Sequence, residues 1–468
     1  MQPLTIFCTY SATRFFEDEI LIEFEIFNEL KEPVVLVVQA LGTQLVFFCE
    51  VMSLPFLTSA PGKVIIFGEH SAVYSEPAVA ASVSSLRTYL LVSKHEDSNA
   101  VELDFPDIQF KHKWSHDEFR SILENREALD EARSNTRELS SKLVAALKVL
   151  HSELKDSLSY HAAFSFSYLY LCLCPEVRGV RFTVKSTLPI GAGLGSSASL
   201  SVALVLAMTR LNGVIDSSNE FSVQDKKLIN EWSFVCEKCI HGTPSGIDNA
   251  VATYGNAVLF KREMDGATNF EFVEDFPQVP MLLTYTKIPR STKNLVSSVR
   301  DLVSRQPNIV KPILVAMGQL AIRGAEILDS LNDENHKELV ELVRVNHGLL
   351  VALGVSHPGL EIVRSLSDTL RIGSTKLTGA GGGGCALTML TKDANGLAIE
   401  EFREKLETEH GYELYQTQLG GVGCSVLPNE VIGNQDLERI YKIFNGEMDK
   451  KHLDEFLLPG KCPLPWIV

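Results

Sequence analysis

Five of the six residues from Gly379 to Gly384, inside TGAGGGGCALTML (Thr378 to Leu390), are glycine. Glycine loses more backbone freedom on ordering than any other residue. Such a run therefore belongs where a backbone must approach another backbone or a ligand closely. It matches G-x-G-x-x-G at Gly379, Gly381 and Gly384, the pattern of a dinucleotide-binding turn. That turn opens a helix, whereas CALTML alternates in polarity and reads as a strand. Glu400 and Glu401, about 20 residues on, give the dinucleotide reading only weak support in so acidic a chain. Two readings follow: a nucleotide-dependent oxidoreductase, or glycines that let two backbone segments and a ligand meet.

The net charge of −16 argues against a nucleic-acid binder. An anionic ligand must then be held by local cations or backbone N–H groups rather than by a global field. A length of 468 residues, 45% apolar, suits two or three domains with sizeable cores. Nine irregularly spaced cysteines do not form a disulfide framework and fit a reducing, cytoplasmic compartment. Cys236 and Cys239 are spaced as half of a zinc ribbon, but no second pair follows at the required interval. They read as two thiols on a partly buried helix.

Residues 1–51 differ from the rest, with Arg14 and Lys31 against eight acidic residues. PVVLVVQALGTQLVFFC (Pro33 to Cys49) is apolar but too interrupted for a membrane span, and the acidic start is wrong for a signal peptide. The segment reads as a non-catalytic extension with Met52 as the functional start; the rival reading is a weak membrane or targeting segment.

Beyond it, KVIIFG and TYLLVS read as strands. Residues from Trp114 to about Ser159 read as a solvated helical layer over a sheet, with apolar residues at spacings of three and four in LVAALKVLHSELKDSL. HAAFSFSYLYLCLC reads as a buried helix ended by Pro175. Further helices are predicted at KKLINEWSFVCEKCIHG, Ile313–Leu328, Lys337–Leu353 and IEEFREKLETEH, with a new strand and domain starting near Val279.

LPIGAGLGSSASLSVAL (Leu188 to Leu204) reads as a Gly-rich turn between a strand and an apolar helix. Glycine N–H groups and a helix N-terminus cradle phosphates in this setting. It is neither a Walker A loop nor a dinucleotide turn, since Ser196 stands where the latter needs Gly. Ser196 and Ser197 could cap the helix or reach a metal or phosphate; the alternative is a tight turn with no ligand. In SAPGKVIIFGEHSAVY (Ser59 to Tyr74), Lys63 begins a strand and Glu69 and His70 follow it.

Taken together, PGKVIIFGEH, PIGAGLGSSAS and KLTGAGGGGC resemble, in order, the three signature motifs of the GHMP kinases. That superfamily takes in galactokinase, homoserine kinase, mevalonate kinase and phosphomevalonate kinase. Within it, KCIHGTPSGIDNAVATYGN, YTKIPRSTK and RVNHGLL resemble the mevalonate kinases of sterol and isoprenoid biosynthesis; the resemblance runs from about Met52 to LPGKCPLPW. Ser75 departs from the Gly that many members place after AVY.

The resemblance implies an α+β, two-domain fold. Residues 52–278 would form an N-terminal ATP-binding domain with a left-handed βαβ unit, and 279–468 a ferredoxin-like C-terminal domain. It implies phosphorylation of the mevalonate 5-hydroxyl by ATP with Mg²⁺. Asp248 matches the catalytic carboxylate and Lys63 the lysine beside it. Ser197 and Glu237 match the Mg²⁺ ligands. Gly191, Ala192, Gly193, Leu194, Gly195, Ser196, Ser197 and Ala198, with Lys63, would surround the triphosphate. Glu69, His70, Arg290 and Thr292 match positions near the substrate. Gly379, Gly381, Gly382 and Gly383 would close the C-terminal domain over the nucleotide. Relatives imply a homodimer and feedback inhibition by farnesyl or geranylgeranyl diphosphate. The alternatives are another small-molecule kinase of the superfamily, such as phosphomevalonate kinase, or a catalytically silent metabolite sensor.

Overall fold

The computed structural model describes residues 54–468 apart from 216–219, 243, 263–267, 274–275 and 450. N-terminal to these it describes the backbone of two strands, β1 (Val34–Leu41) and β2 (Gln44–Val51). They pair antiparallel in a sheet of their own. The rest of the 1–51 extension, and Met52, lie outside the described residues. Among the described residues no helix is long and apolar enough to cross a membrane.

Two long strands form the frame. β3 (Phe56–Phe67) and β4 (Ala78–Lys94) run antiparallel, with a register shift between Pro61 and Gly62 just before Lys63. Next come β5 (Ala100–Phe105) and β6 (Phe110–Ser115). The sequence predicts helix from Trp114, but FKHKWS alternates, with Phe110 and Trp114 buried and Lys111 and Lys113 exposed, so it pairs with β5 as a strand.

Four helices follow: α1 (His116–Leu123), α2 (Arg126–Ser134), α3 (Ser141–Leu150) and α4 (Ser157–Leu173). The helical pattern in LVAALKVLHSELKDSL is divided between two helices, α3 stopping at Leu150 and α4 starting at Ser157. Asp156 caps the restart by accepting from Ser159 N at 2.8 Å, and His151 turns inward to within 3.0 Å of Ser167 Oγ. α4 leads to β7 (Val180–Ser186), which lies parallel to β5 and antiparallel to β4.

α5 (Ser196–Leu211), α6 (Val223–His241) and α7 (Ile247–Tyr254) complete the helical layer, before β8 (Ala257–Arg262) and β9 (Thr268–Val273) extend the sheet beside β4. α5 is apolar around most of its circumference because α4, α6, α7 and β3 enclose it.

The second half reads β10 (Val279–Tyr285), α8 (Thr292–Arg305), α9 (Pro307–Asp329), α10 (His336–Ala352), α11 (Pro358–Leu370), β11 (Gly373–Leu377), β12 (Cys385–Leu390), α12 (Gly396–His410), β13 (Glu413–Leu419). The strands lie antiparallel in the order β11-β12-β10-β13, the ferredoxin-like arrangement. The glycine run is thus followed by strand β12, which removes the dinucleotide reading.

One 12-stranded sheet spans both halves. The junction is narrow: β13 meets β4 in a single register pair, Leu419↔Val83, supported by Ser85 Oγ donating to Thr417 Oγ1 at 2.7 Å. β14 (Ser425–Leu427), α13 (Asn434–Phe444) and α14 (Lys451–Leu457) then return to β3 and β4 of the first half, where Leu427, Ile440 and Leu453 pack on Leu57 and Tyr89.

Candidate active site

The turn from β7 into α5 leaves Gly191, Gly193 and Gly195 at positive φ, with Gly195 as the helix N-cap. Lys63 N donates to Leu194 O at 2.8 Å, tying the turn to β3. A Cβ on Gly195 would lie 3.1 Å from Lys63 Cγ and 3.5 Å from Asp248 Oδ2. Glycine is what lets this backbone rest against the Lys63–Asp248 pair. Lys63 Nζ sits 3.0 Å from Asp248 Oδ1, with the lysine buried and the aspartate one-third exposed. Asp248 occupies the first turn of α7, where the helix dipole also favours a carboxylate.

Glu237, on α6, is 3% exposed. Its carboxylate accepts from Ser197 Oγ at 3.1 Å and Ser201 Oγ at 3.3 Å. Burial, and then the negative charge of Asp248, pushes Glu237 up to about 7. Among the described residues no lysine or arginine makes an ion pair with it. A buried carboxylate without a lysine or arginine partner, beside a serine hydroxyl and near a second carboxylate, offers the hard oxygen donors that suit Mg²⁺. Ser197, Glu237, His241, Pro244, Ser245, Gly246, Asp248 and Asn249 line a cavity of about 130 Å³.

Arg290 joins the two glycine loops. Its Nη2 donates to Ala192 O and its Nη1 to Thr378 O, both at 3.1 Å. A Cβ at Gly193 would collide with the guanidinium, and one at Gly379 or Gly384 would crowd it. Gly381, Gly382 and Gly383 have other neighbours: a Cβ there would meet Val355 O, the Leu295 side chain and Ile288 respectively. Those three glycines let the run pack within its own half; contact with the first half is made by Ala380 O, by Thr378 Oγ1 donating to Ile65 O at 3.0 Å, and through Arg290, against which Gly379 and Gly384 lie.

His70, at φ 60, donates from Nε2 to Ala380 O at 2.9 Å, and burial lowers its pKa. Both carboxylate oxygens of Glu69 are engaged inside the protein: Oε1 pairs with the wholly buried Lys376, and Oε2 accepts from Asn346 Nδ2 at 3.0 Å. Thr292 is exposed at the start of α8, which Ser291 caps, and among the described contacts none joins Thr292 to Asp248 or Lys63. Ser196 opens α5, and Ala198 is buried behind it. Cys236 and Cys239 lie on α6, Cys236 fully buried.

Two family models match the chain, GHMP kinases N terminal domain over residues 143–256 and GHMP kinases C terminal over 327–408. The chain is 54% identical over 442 residues to the mevalonate kinase of Saccharomyces cerevisiae, covering 89% of this chain and 100% of that one. It belongs to the mevalonate kinases. The Candida albicans mevalonate kinase is 44% identical over 400 residues, covering 81% of this chain and 91% of the relative. The fold is shared with L. major mevalonate kinase, solved in complex with R-mevalonate: TM-score 0.56, 22% identity, 78% of this chain and 96% of that one.

In this mevalonate kinase three polar residues at or under the site escaped the sequence reading. His241 comes within 3.2 Å of Ser197 Oγ through Nε2. Its signal was present, since it stands four residues after Glu237 and so on the same helix face. Asn249 is 1% exposed and neither end of its amide has a hydrogen-bond partner among the described residues; nothing in its own spacing marks it. Lys376 stands in the quoted KLTGAGGGGC, but a lone lysine reads as surface until its buried partner is seen.

Proposed function

We propose that this chain transfers the γ-phosphoryl group of ATP to the 5-hydroxyl of (R)-mevalonate. The observation that carries this is the Lys63–Asp248 pair, 3.0 Å apart and pressed against Gly195 of the phosphate loop. Asp248 accepts the hydroxyl proton as the mevalonate oxygen attacks the γ-phosphorus. A new O–P bond forms, the bond to the β,γ-bridging oxygen breaks, and ADP leaves. Lys63 offsets charge on Asp248 and on the attacking oxygen. N–H groups in the turn from Gly191 to Ala198 would cradle the phosphates, and Arg290 would add the positive charge that an overall acidic chain must supply locally.

Ser197 Oγ and the Glu237 carboxylate would hold Mg²⁺, which when bound neutralises charge on the β- and γ-phosphates. His70 and Arg290 are the substrate-side groups favoured by position. Glu69, engaged by Lys376 and Asn346, supports the turn that carries His70. The division at 278/279, homodimer assembly, a cytoplasmic location and inhibition by prenyl diphosphates are further proposals, to be tested by limited proteolysis, sedimentation, fractionation and inhibition kinetics.

The deciding assay is ADP release with mevalonate, 5-phosphomevalonate and unrelated alcohols as acceptors. Mevalonate alone should support turnover; preference for another acceptor would overturn the reading. Asp248→Asn should lower kcat by at least ~10²-fold, the scale of positioned acid–base catalysis. Near-normal turnover would remove Asp248 from the reaction.

A further inference from the structure

The hydroxyl of Ser197 has one hydrogen and stands between two acceptors. Glu237 Oε2 lies 3.1 Å away and His241 Nε2 lies 3.2 Å away. Glu237 and His241 come from successive turns of the same face of α6, while Ser197 comes from the first turn of α5. When the hydroxyl donates to Glu237, His241 must donate to it from Nε2, because the hydroxyl then has only lone pairs to offer.

A cation shared by Glu237 and Ser197 reverses this arrangement. It takes a lone pair of the hydroxyl and faces away from its hydrogen. Glu237 Oε2, on the cation's side, is then the wrong acceptor. The hydrogen needs an acceptor on the far side, and His241 Nε2 is within reach. We infer that His241 is a positioning residue for metal–nucleotide binding: it accepts the Ser197 hydrogen from Nε2, with its own hydrogen on Nδ1, and so aims the Ser197 lone pair at the cation. Moving the ring hydrogen needs only solvent access, and the side chain is 55% exposed. Groups that orient a metal ligand in this way typically change metal affinity by 10–100-fold when removed.

This inference rests on the Mg²⁺ reading above, and the test separates the two. Calorimetry would measure ATP affinity in EDTA and in excess Mg²⁺ for the wild type, His241→Leu and His241→Gln. Glutamine places an amide near the Nε2 position and can accept the same hydrogen. In the wild type, Mg²⁺ should tighten ATP binding. His241→Leu should lose roughly tenfold or more of that gain while binding ATP in EDTA as the wild type does. His241→Gln should recover most of it. An unchanged Mg²⁺ gain in His241→Leu would overturn the role given to His241. No Mg²⁺ gain in the wild type would overturn the metal reading itself, and this inference with it.

Discussion

Glu237 is where burial and charge conflict most sharply. Its carboxylate is pushed up to about 7, first by burial and then by Asp248. Between the ordinary carboxylate value and about 7, the folded chain keeps a proton here that the unfolded chain has lost. The resulting stability is full below that window and is lost as pH rises through it. In EDTA, wild-type Tm should therefore fall relative to Glu237→Gln between about pH 5 and pH 8, and added Mg²⁺ with ATP should cancel the fall. Parallel Tm profiles for the two proteins would show that Glu237 is not strained by its surroundings. The same variant should need more Mg²⁺ for turnover. At this scale the convergence of Lys63 with Asp248 and of Ser197 with Glu237 was legible because each sits in a motif whose neighbours limit where it can lie. His241, Asn249 and Lys376 were not, because a single polar residue has many ordinary fates and only its three-dimensional partners choose among them.

Among the elements, the glycine run shows how one composition serves two purposes. Gly381 holds φ 79 and a Cβ there would strike the backbone oxygen of Val355; Gly382, at φ 68, would meet the movable side chain of Leu295. Both lie in the left-handed region, so alanine at either should destabilise by roughly 1 kcal/mol or more. Gly381→Ala should lower Tm further than Gly382→Ala, since a backbone oxygen cannot step aside. Equal losses would mean that φ strain alone sets the cost. Strand β12 after the run was readable from its alternation, as were α5 and α6 from their apolar patterns. β6 was missed because its lysines masked a period of two, and the break between α3 and α4 was missed because SELKD is as helix-compatible as its neighbours. Capping by Asp156 and the inward turn of His151 decide that break, and both depend on packing partners distant in sequence.

Across the whole molecule, removing residues 1–51 should leave kcat intact, because the site is built from β3, α5, α6, α7 and the second-half loops. An inactive or insoluble truncated protein would give the extension a structural part. The two-part organisation was visible in the sequence, but the return of residues 425–468 to the first half was not, since an apolar helix face does not say which sheet it will cover. The register pair Leu419↔Val83 is only one of the ties between the halves. Glu69 pairs with Lys376 and accepts from Asn346, Arg290 donates to Ala192 O, and Val64, Ile66 and Val79 share an apolar core with Leu283, Leu320 and Leu387. A joint held by a buried ion pair and a close-packed core resists torsion as well as stretching, so the two halves should turn over as one block. Ser85 and Thr417, whose hydroxyls are 2.7 Å apart, are the place to crosslink it. A Ser85→Cys/Thr417→Cys protein should turn over alike when reduced and when oxidised; a stall on oxidation, relieved by dithiothreitol, would mean that the halves must twist in each cycle.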